Sequence, residues 1–512
     1  MGFAETVRNI HMTGCRFFMH TLRVHFILPL MPIQEQEVKT MSEIQTVDAR
    51  ESESIGKLMI RYAVPCIVSL LVGALYNIVD QIFISNADYL GSYGNAANAV
   101  VYPLTVIALA IAVIFGDGCG AYLSICLGSR QKENARKSVA NAVLCAFLAG
   151  LIILVIYQIF YHPLIALFGG QVNEKVYQFS REYLFWISLG IPFYVLGQCL
   201  SPIISADGSP KYAMKAMIAG TVTNIALDAV FIYVFRWGMM GAALATIIGQ
   251  ILCAVILLLY LPHMQSVRLD RSCFHLNSKL LKKVVPLGMS GFFTQISIVL
   301  SMAAVQNMTA KYSALDPIFS QEQYSQIPIA VIGIAMKFFQ IVISVAVGLS
   351  AGCIPLVGYN VGAGRNDRVL NFMKRLLTTE VLIGLVALVV FEVFPLQLIS
   401  IFGAANESSY YTEFAVSCLR LFFCLIFLAC VNKGSSIFLQ ALGKPKQASI
   451  LSILRDVVFG AGLPLILPVF MGLRGILYFI PVADVLTVFV TIYFLRHACQ
   501  ELKAPTVEQT YK

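Results

Sequence analysis

The turn Ala206-Asp207-Gly208-Ser209-Pro210-Lys211 recurs 235 residues later as Ala441-Leu442-Gly443-Lys444-Pro445-Lys446. Three further motifs repeat at this spacing or one residue less: Gly118-x9-Gly128 with Gly352-x9-Gly362, Leu167-Phe168-Gly169 with Ile401-Phe402-Gly403, and Gly238/Gly241 with Gly472/Gly475. A fixed offset kept across four motifs is the signature of an internal repeat. The sequence therefore predicts two halves with the same fold.

The composition identifies the surroundings of these halves. Of the 512 residues, 58% are hydrophobic and only 12% are charged, whereas soluble proteins carry about a quarter charged residues. The apolar residues form runs long enough to cross about 30 Å of hydrocarbon as helices. These runs are 60–85, 95–128, 138–160, 180–205, 212–235, 240–262, 283–308, 326–360, 370–394, 412–440, 446–469 and 474–498. We therefore expect an all-α integral membrane protein with twelve transmembrane helices in two pseudo-symmetric six-helix lobes.

The basic residues indicate the topology. The net charge of +9 is concentrated in alternate loops, those that hold Arg130, Lys211, Arg268, Arg365 and Lys444. By the positive-inside rule, both termini face the cytoplasm. We expect a multi-pass protein of the inner or plasma membrane that contacts membrane lipids, binds no nucleic acid and is a monomer.

The predicted domains follow the repeat. The N-lobe covers 55–265, the C-lobe 283–498, and a cytoplasmic linker at 266–282 joins them. Residues 1–54 are predicted to be a disordered cytoplasmic leader, and 499–512 a cytoplasmic tail. The natural start is either Met1 or Met41, where a polar leader begins.

An even number of spans in each half makes the repeats parallel, and such a pair of lobes encloses a substrate cavity. A channel is the alternative, but no short filter-like pore segment is visible. We expect no enzyme and no cofactor, because the chain has no HExxH motif and no nucleotide-binding P-loop. The scattered cysteines predict no disulfide framework.

Polar residues inside the first half suggest an ion site. Asp80, Asp228 and Thr246 each lie an estimated ~8–10 Å below the outer surface, and Asn224 lies one turn from Asp228 on the same helix face. Two carboxylates, an amide oxygen and a hydroxyl can cage Na+, or the carboxylates can share a proton. The simpler reading is that each aspartate hydrogen-bonds to a neighbouring helix.

The second half carries different charges. Asn224 and Asp228 correspond there to apolar positions near Val458 and Leu463. Lys337, Arg455 and Asp484 instead fall near the midplane, where they form either a structural ion-pair network or part of a substrate or gating site. Tyr76 is a candidate for a cavity that binds flat cations by cation–π contact, although such aromatics more often belong to the core.

These residues resemble the multidrug and toxic compound extrusion (MATE) family. The resemblance covers about residues 55–498. It rests on Tyr76–Ile84, Asn224–Asp228, Gly238-x2-Gly241-Ala242-Ala243-x2-Thr246 and the paired Gly-Ser/Lys-Pro turns. Arg455–Phe459 with Pro481-x2-Asp484 is similar to its MepA-like bacterial branch.

The resemblance implies a V-shaped twelve-helix fold and ion-driven efflux of varied, often cationic, drugs, a basis of antibiotic resistance. It also implies an ion site at Asp80, Asn224, Asp228 and Thr246, with a backbone oxygen near Ala242. Whether Na+ or H+ drives export stays open. A flippase of lipid-linked saccharides is the alternative function, because it would line its cavity with cations such as Lys337 and Arg455.

Overall fold

The computed structural model describes residues 53–168, 174–270, 273–321, 324, 327–400 and 409–503. Within these residues the chain forms twelve long helices and no strand. The helices are α1 (Ile55–Asn86), α2 (Gly91–Gly128), α3 (Lys132–Ile159), α4 (Glu174–Ala206), α5 (Pro210–Val234), α6 (Gly238–Tyr260), α7 (Ser278–Ser313), α8 (Ile327–Gly362), α9 (Asn366–Val393), α10 (Ser409–Phe423 and Ile426–Ala441), α11 (Pro445–Met471) and α12 (Phe479–Lys503).

The predicted number of spans is confirmed. Eleven helices are long and apolar enough to cross a membrane, and the bent pair in α10, with a 41° angle, completes twelve if it is one span. The predicted start of the last span at 474 is wrong. Gly472, with φ +59°, ends α11, and a short helix at Leu473–Leu477 precedes α12. The start at Met1 or Met41 and most of the leader and tail lie outside the described residues.

Two helices widen locally into π-helix. In α5 the widened turn is Ala229–Val234, directly after Asp228, and in α11 it is Ile453–Phe459, which contains Arg455. Such segments are rare and are often found at functional sites. Both lie in helices that carry charged residues within the membrane.

The halves pack through glycines at positions that the repeat relates. A side chain on Gly128 of α2 would overlap the carbonyl oxygen of Tyr359 in α8, and one on Gly362 of α8 would overlap that of Ile125 in α2. Each pair is the other shifted by 234 residues. Small residues let helix backbones approach this closely, as is typical of membrane helix packing.

A second set of contacts repeats the same pattern between other helices. A Cβ on Gly118 of α2 would lie 2.5 Å from the Val284 carbonyl of α7, and one on Gly352 of α8 would lie 2.5 Å from Cα of Ala63 in α1. Val284 and Ala63 hold matching places relative to Pro286 and Pro65. The repeat seen in the sequence is therefore also a repeat of contacts between the lobes.

Candidate ion site and charge network

Two buried carboxylates face each other in the first half. Asp228, at the end of the regular part of α5, is fully buried, and neither of its oxygens has a hydrogen-bond partner in the described part of the chain. Asp80 of α1 is 5% exposed, and its Oδ1 is likewise buried and unpaired. The two charges are close enough to interact electrostatically. Buried unpaired carboxylate oxygens are costly, so this pair is suited to hold a cation or a proton.

Close packing of α5 on α6 adds the other predicted donors. A Cβ on Gly220 would lie 2.7 Å from the Gly249 carbonyl oxygen, and one on Gly249 would lie 2.6 Å from the Gly220 carbonyl oxygen. This approach brings Nδ2 of Asn224 to 3.3 Å from Oγ1 of Thr246, to which it donates. Oδ1 of Asn224 stays buried and unpaired. It is therefore available as a further oxygen ligand.

Aromatic and amide side chains complete the surroundings. Tyr76 of α1 and Tyr183 of α4 both lie near the two aspartates, and Asn98 of α2 lies beside Asp80. Ala242 is buried on α6, one turn before Thr246 and on the same face. The sequence analysis did not single out Tyr183 or Asn98, because one polar residue in an apolar run carries no signal of its direction. The structure places the predicted donors together, and their role as ion ligands stays a prediction.

The second half holds a balanced network of charges. Nε of Arg455 donates to Oδ1 of Asp484 at 2.9 Å, and its Nη1 donates to Oδ1 of Asp456 at 2.7 Å. Nζ of Lys433, on α10, lies 2.5 Å from Oδ2 of Asp456. Two cations thus meet two carboxylates, which is the arrangement that buried charges need.

Neutral side chains hold this network in place. Thr294 of α7 donates to Asp456 at 2.9 Å, and Asn432 of α10 donates to Asp484 at 3.3 Å. The Arg455 guanidinium also lies over the ring of Phe339, 5.9 Å from its centroid. The predicted Arg455–Asp484 pair is present in the structure.

The sequence analysis missed two members of the network. Lys433 and Asp456 both lie within predicted spans, so the signal that drew attention to Arg455 applied to them equally. Lys337 is half-buried on α8, the helix that supplies Phe339. Its predicted role in a substrate cavity or charge group stays a prediction.

A third buried carboxylate lies apart from these groups. Glu380 of α9 is fully buried, and its Oε1 accepts a hydrogen bond of 2.6 Å from Ser350 of α8. Its Oε2 is buried and unpaired in the described part of the chain. Gly434 of α10 leaves room for it, since a Cβ there would lie 3.1 Å from Oε1. The positions 234 or 235 residues earlier are Gly116, Ala146 and Cys199, so the first half has no such acid.

A duplicated bundle of membrane helices with buried ionisable groups defines the class of secondary transporters. The MatE family model matches residues 65–230 and 298–465, one segment in each half. Together these segments cover more than half of the chain, which therefore belongs to the MatE family. The resemblance in the sequence analysis is confirmed.

Individual relatives match over nearly their whole length. The chain is 26% identical to the multidrug export protein MepA of Staphylococcus saprophyticus subsp. saprophyticus, over 90% of this chain and 98% of that protein. The structure of the MATE multidrug transporter DinF-BH in complex with a drug-like ligand is 29% identical, with a TM-score of 0.78 over 87% of this chain and 96% of that one. An outward-facing multidrug resistance MATE family transporter matches with a TM-score of 0.81 at 21% identity, over 89% of this chain and 98% of that one, which supports the fold.

Proposed function

We infer that this chain is a multidrug efflux transporter, and we propose that it exports organic, often cationic, compounds in exchange for Na+ or H+ by alternating access. Membership of the MatE family supports this, as do multidrug export relatives that match along the full length of the transmembrane region. We place the protein in the cell membrane with both termini in the cytoplasm, as the basic loops predict.

One observation carries the coupling hypothesis. Asp80, Asp228 and Asn224 supply four buried oxygens without a described partner, at a place where the second half has apolar residues. A Na+ ion would be held by these oxygens together with the Thr246 hydroxyl. A proton would instead be held by the aspartates, because two adjacent carboxylates favour sharing one. Either ion removes the same electrostatic cost.

The helix that carries Asp80 also reaches the other lobe. Ile67 and Ala63 of α1 pack against Gly348 and Gly352 of α8. Further along both helices the lobes separate, because a Cβ on Gly73 or on Gly333 would meet nothing within 4 Å. The lobes thus touch toward the predicted cytoplasmic end, which favours a state open to the outside. Ion binding at Asp80 can influence this contact through α1, provided that the two states bind the ion differently.

The second half argues against the flippase alternative. That function calls for cations available to bind anionic substrates. Arg455 and Lys433 are instead neutralised by Asp456 and Asp484. Efflux of cationic compounds is therefore the function that the charges favour.

The test is ethidium transport into everted membrane vesicles under an imposed Na+ or proton gradient. We expect Asp80→Asn and Asp228→Asn each to lose at least about tenfold in gradient-driven rate, equivalent to about 1.4 kcal/mol. Asp88→Asn, at an exposed residue just beyond α1, is the matched control and should transport normally. Wild-type rates in both aspartate variants under either gradient would refute the coupling site.

A further inference from the structure

A groove of about 550 Å³ lies between α1 of the first half and α9 of the second, with Leu349 of α8 also lining it. Ile60, Val64 and Ile67 line its α1 side. These residues follow helical spacing and form one apolar stripe. Ile60 is 67% exposed and Val64 48% exposed, so the stripe is open to its surroundings.

Two cations lie at the same groove. Lys374 and Arg375 of α9 are exposed, and neither forms an ion pair in the part of the chain that the structure describes. The Arg375 guanidinium reaches the first turn of α1, where a Cβ on Gly56 would lie 2.9 Å from Nη1. The nearby acid, Glu53, is directed to other cations, Lys57 at 3.8 Å and Arg61 at 3.9 Å. The groove therefore combines an apolar wall with positive charge at one end.

The place related by the repeat is closed. There Asn141 of α3 corresponds to Arg375, and Asn277 before α7 corresponds to Gly56. The Asn277 backbone N–H donates to Oδ1 of Asn141 at 2.7 Å, and Nδ2 of Asn141 donates to the His275 carbonyl at 3.1 Å. The linker thus seals one side of the pseudo-symmetric pair by neutral hydrogen bonds. The other side keeps two charges in an open groove.

We propose that this groove binds one anionic phospholipid from the membrane leaflet on the side of the basic loops. The phosphate lies at Lys374 and Arg375, and an acyl chain lies along Ile60, Val64 and Ile67. Basic pockets between transmembrane helices on the cytoplasmic side recognise such headgroups. The apolar wall selects a lipid over a free phosphate ion. Because the groove joins α1 to α9, a bound lipid stabilises the state in which the lobes touch at this end.

The test is the binding of phosphatidylglycerol and phosphatidylcholine to the purified full-length protein, counted by native mass spectrometry. The wild type should prefer phosphatidylglycerol. Lys374→Gln/Arg375→Gln should weaken its binding about 30-fold, since each surface cation contributes about 1 kcal/mol. Lys211→Gln/Lys215→Gln, which removes two exposed charges from the same end of α5, is the matched control and should bind as the wild type does.

A second variant separates lipid binding from simple anion binding. Val64→Trp fills the apolar wall and leaves both cations, so it should also weaken phosphatidylglycerol binding several-fold, whereas inorganic phosphate should not compete. Equal losses in the groove variant and in the Lys211/Lys215 control would overturn the proposal by showing unspecific attraction. Lipid preference that appears only after deletion of residues 1–49 would also overturn it, because the leader would then be the occupant.

Discussion

The Lys433 ammonium lies 2.5 Å from Oδ2 of Asp456, whose other oxygen accepts from Arg455. This ion pair gives the two lobes different electrostatic characters. In the second half the four charges cancel within one network. In the first half the described contacts of Asp80 and Asp228 include no cation, so those acids are available to an exchangeable ion.

Removing one member of the balanced network should destabilise the protein. Lys433→Met leaves a buried carboxylate undercompensated, which typically costs about 3–5 kcal/mol. Lys433→Met/Asp456→Asn keeps the interior neutral through Arg455 and Asp484 and should recover most of this loss. Thermal unfolding of the purified variants measures both effects. A single variant as stable as the wild type would contradict the structural role of the pair.

Contact between the lobes should tolerate no side chain at Gly128. Its Cβ would overlap the Tyr359 carbonyl, and backbone there cannot move away without separating α2 from α8. Gly128→Ala is therefore expected to lower ethidium transport at least about tenfold, equivalent to about 1.4 kcal/mol, and to reduce the melting temperature. Gly333→Ala on α8 is the control, because a Cβ there meets nothing within 4 Å. Normal transport by Gly128→Ala would show that this contact is dispensable.

Glu380 offers a test of packing against ionisation. Glu380→Gln keeps an oxygen that accepts from Ser350 and nearly the same volume, so its free energy of unfolding should stay within about 1 kcal/mol of the wild type. Glu380→Ala leaves a cavity and an unpaired hydroxyl, and should cost about 2–4 kcal/mol. Chemical denaturation in detergent distinguishes the two. A Gln variant as unstable as the Ala variant would mean that the charge itself is needed for folding.

Asp207, in the turn between α4 and α5, should make stability depend on pH. Burial raises the pKa of its carboxyl, although N–H groups of Gln265 and Ser266 and the Tyr260 hydroxyl donate to it and oppose this shift. Because the folded-state pKa lies above the unfolded one, the contribution of this group is fully present below the unfolded pKa. It is lost as pH rises through the folded pKa.

The measurement is the melting temperature of the wild type and of Asp207→Asn from about pH 4 to about pH 8. The wild type should lose part of its advantage over the variant as pH rises. An advantage that grows with pH would show that the hydrogen bonds outweigh burial and lower the folded-state pKa.

The sequence by itself determined the scaffold. Apolar runs separated by basic loops gave the number of helices, because the length of a membrane span is fixed by the thickness of the hydrocarbon layer. The spacing of Gly118 and Gly128 against Gly352 and Gly362 gave the two related halves. The acids of the first half stood out because charge in a membrane span is costly wherever it lies.

Only the tertiary structure decided which side chains meet. The crossing at Gly220 and Gly249 sets Asn224 against Thr246, and the π-helical turn in α11 lets Arg455 reach both Asp456 and Asp484. Such contacts depend on the rotation of each helix and on the distance of closest approach. Positions along a chain do not specify these quantities, so Lys433 went unpartnered until α10 and α11 were placed side by side.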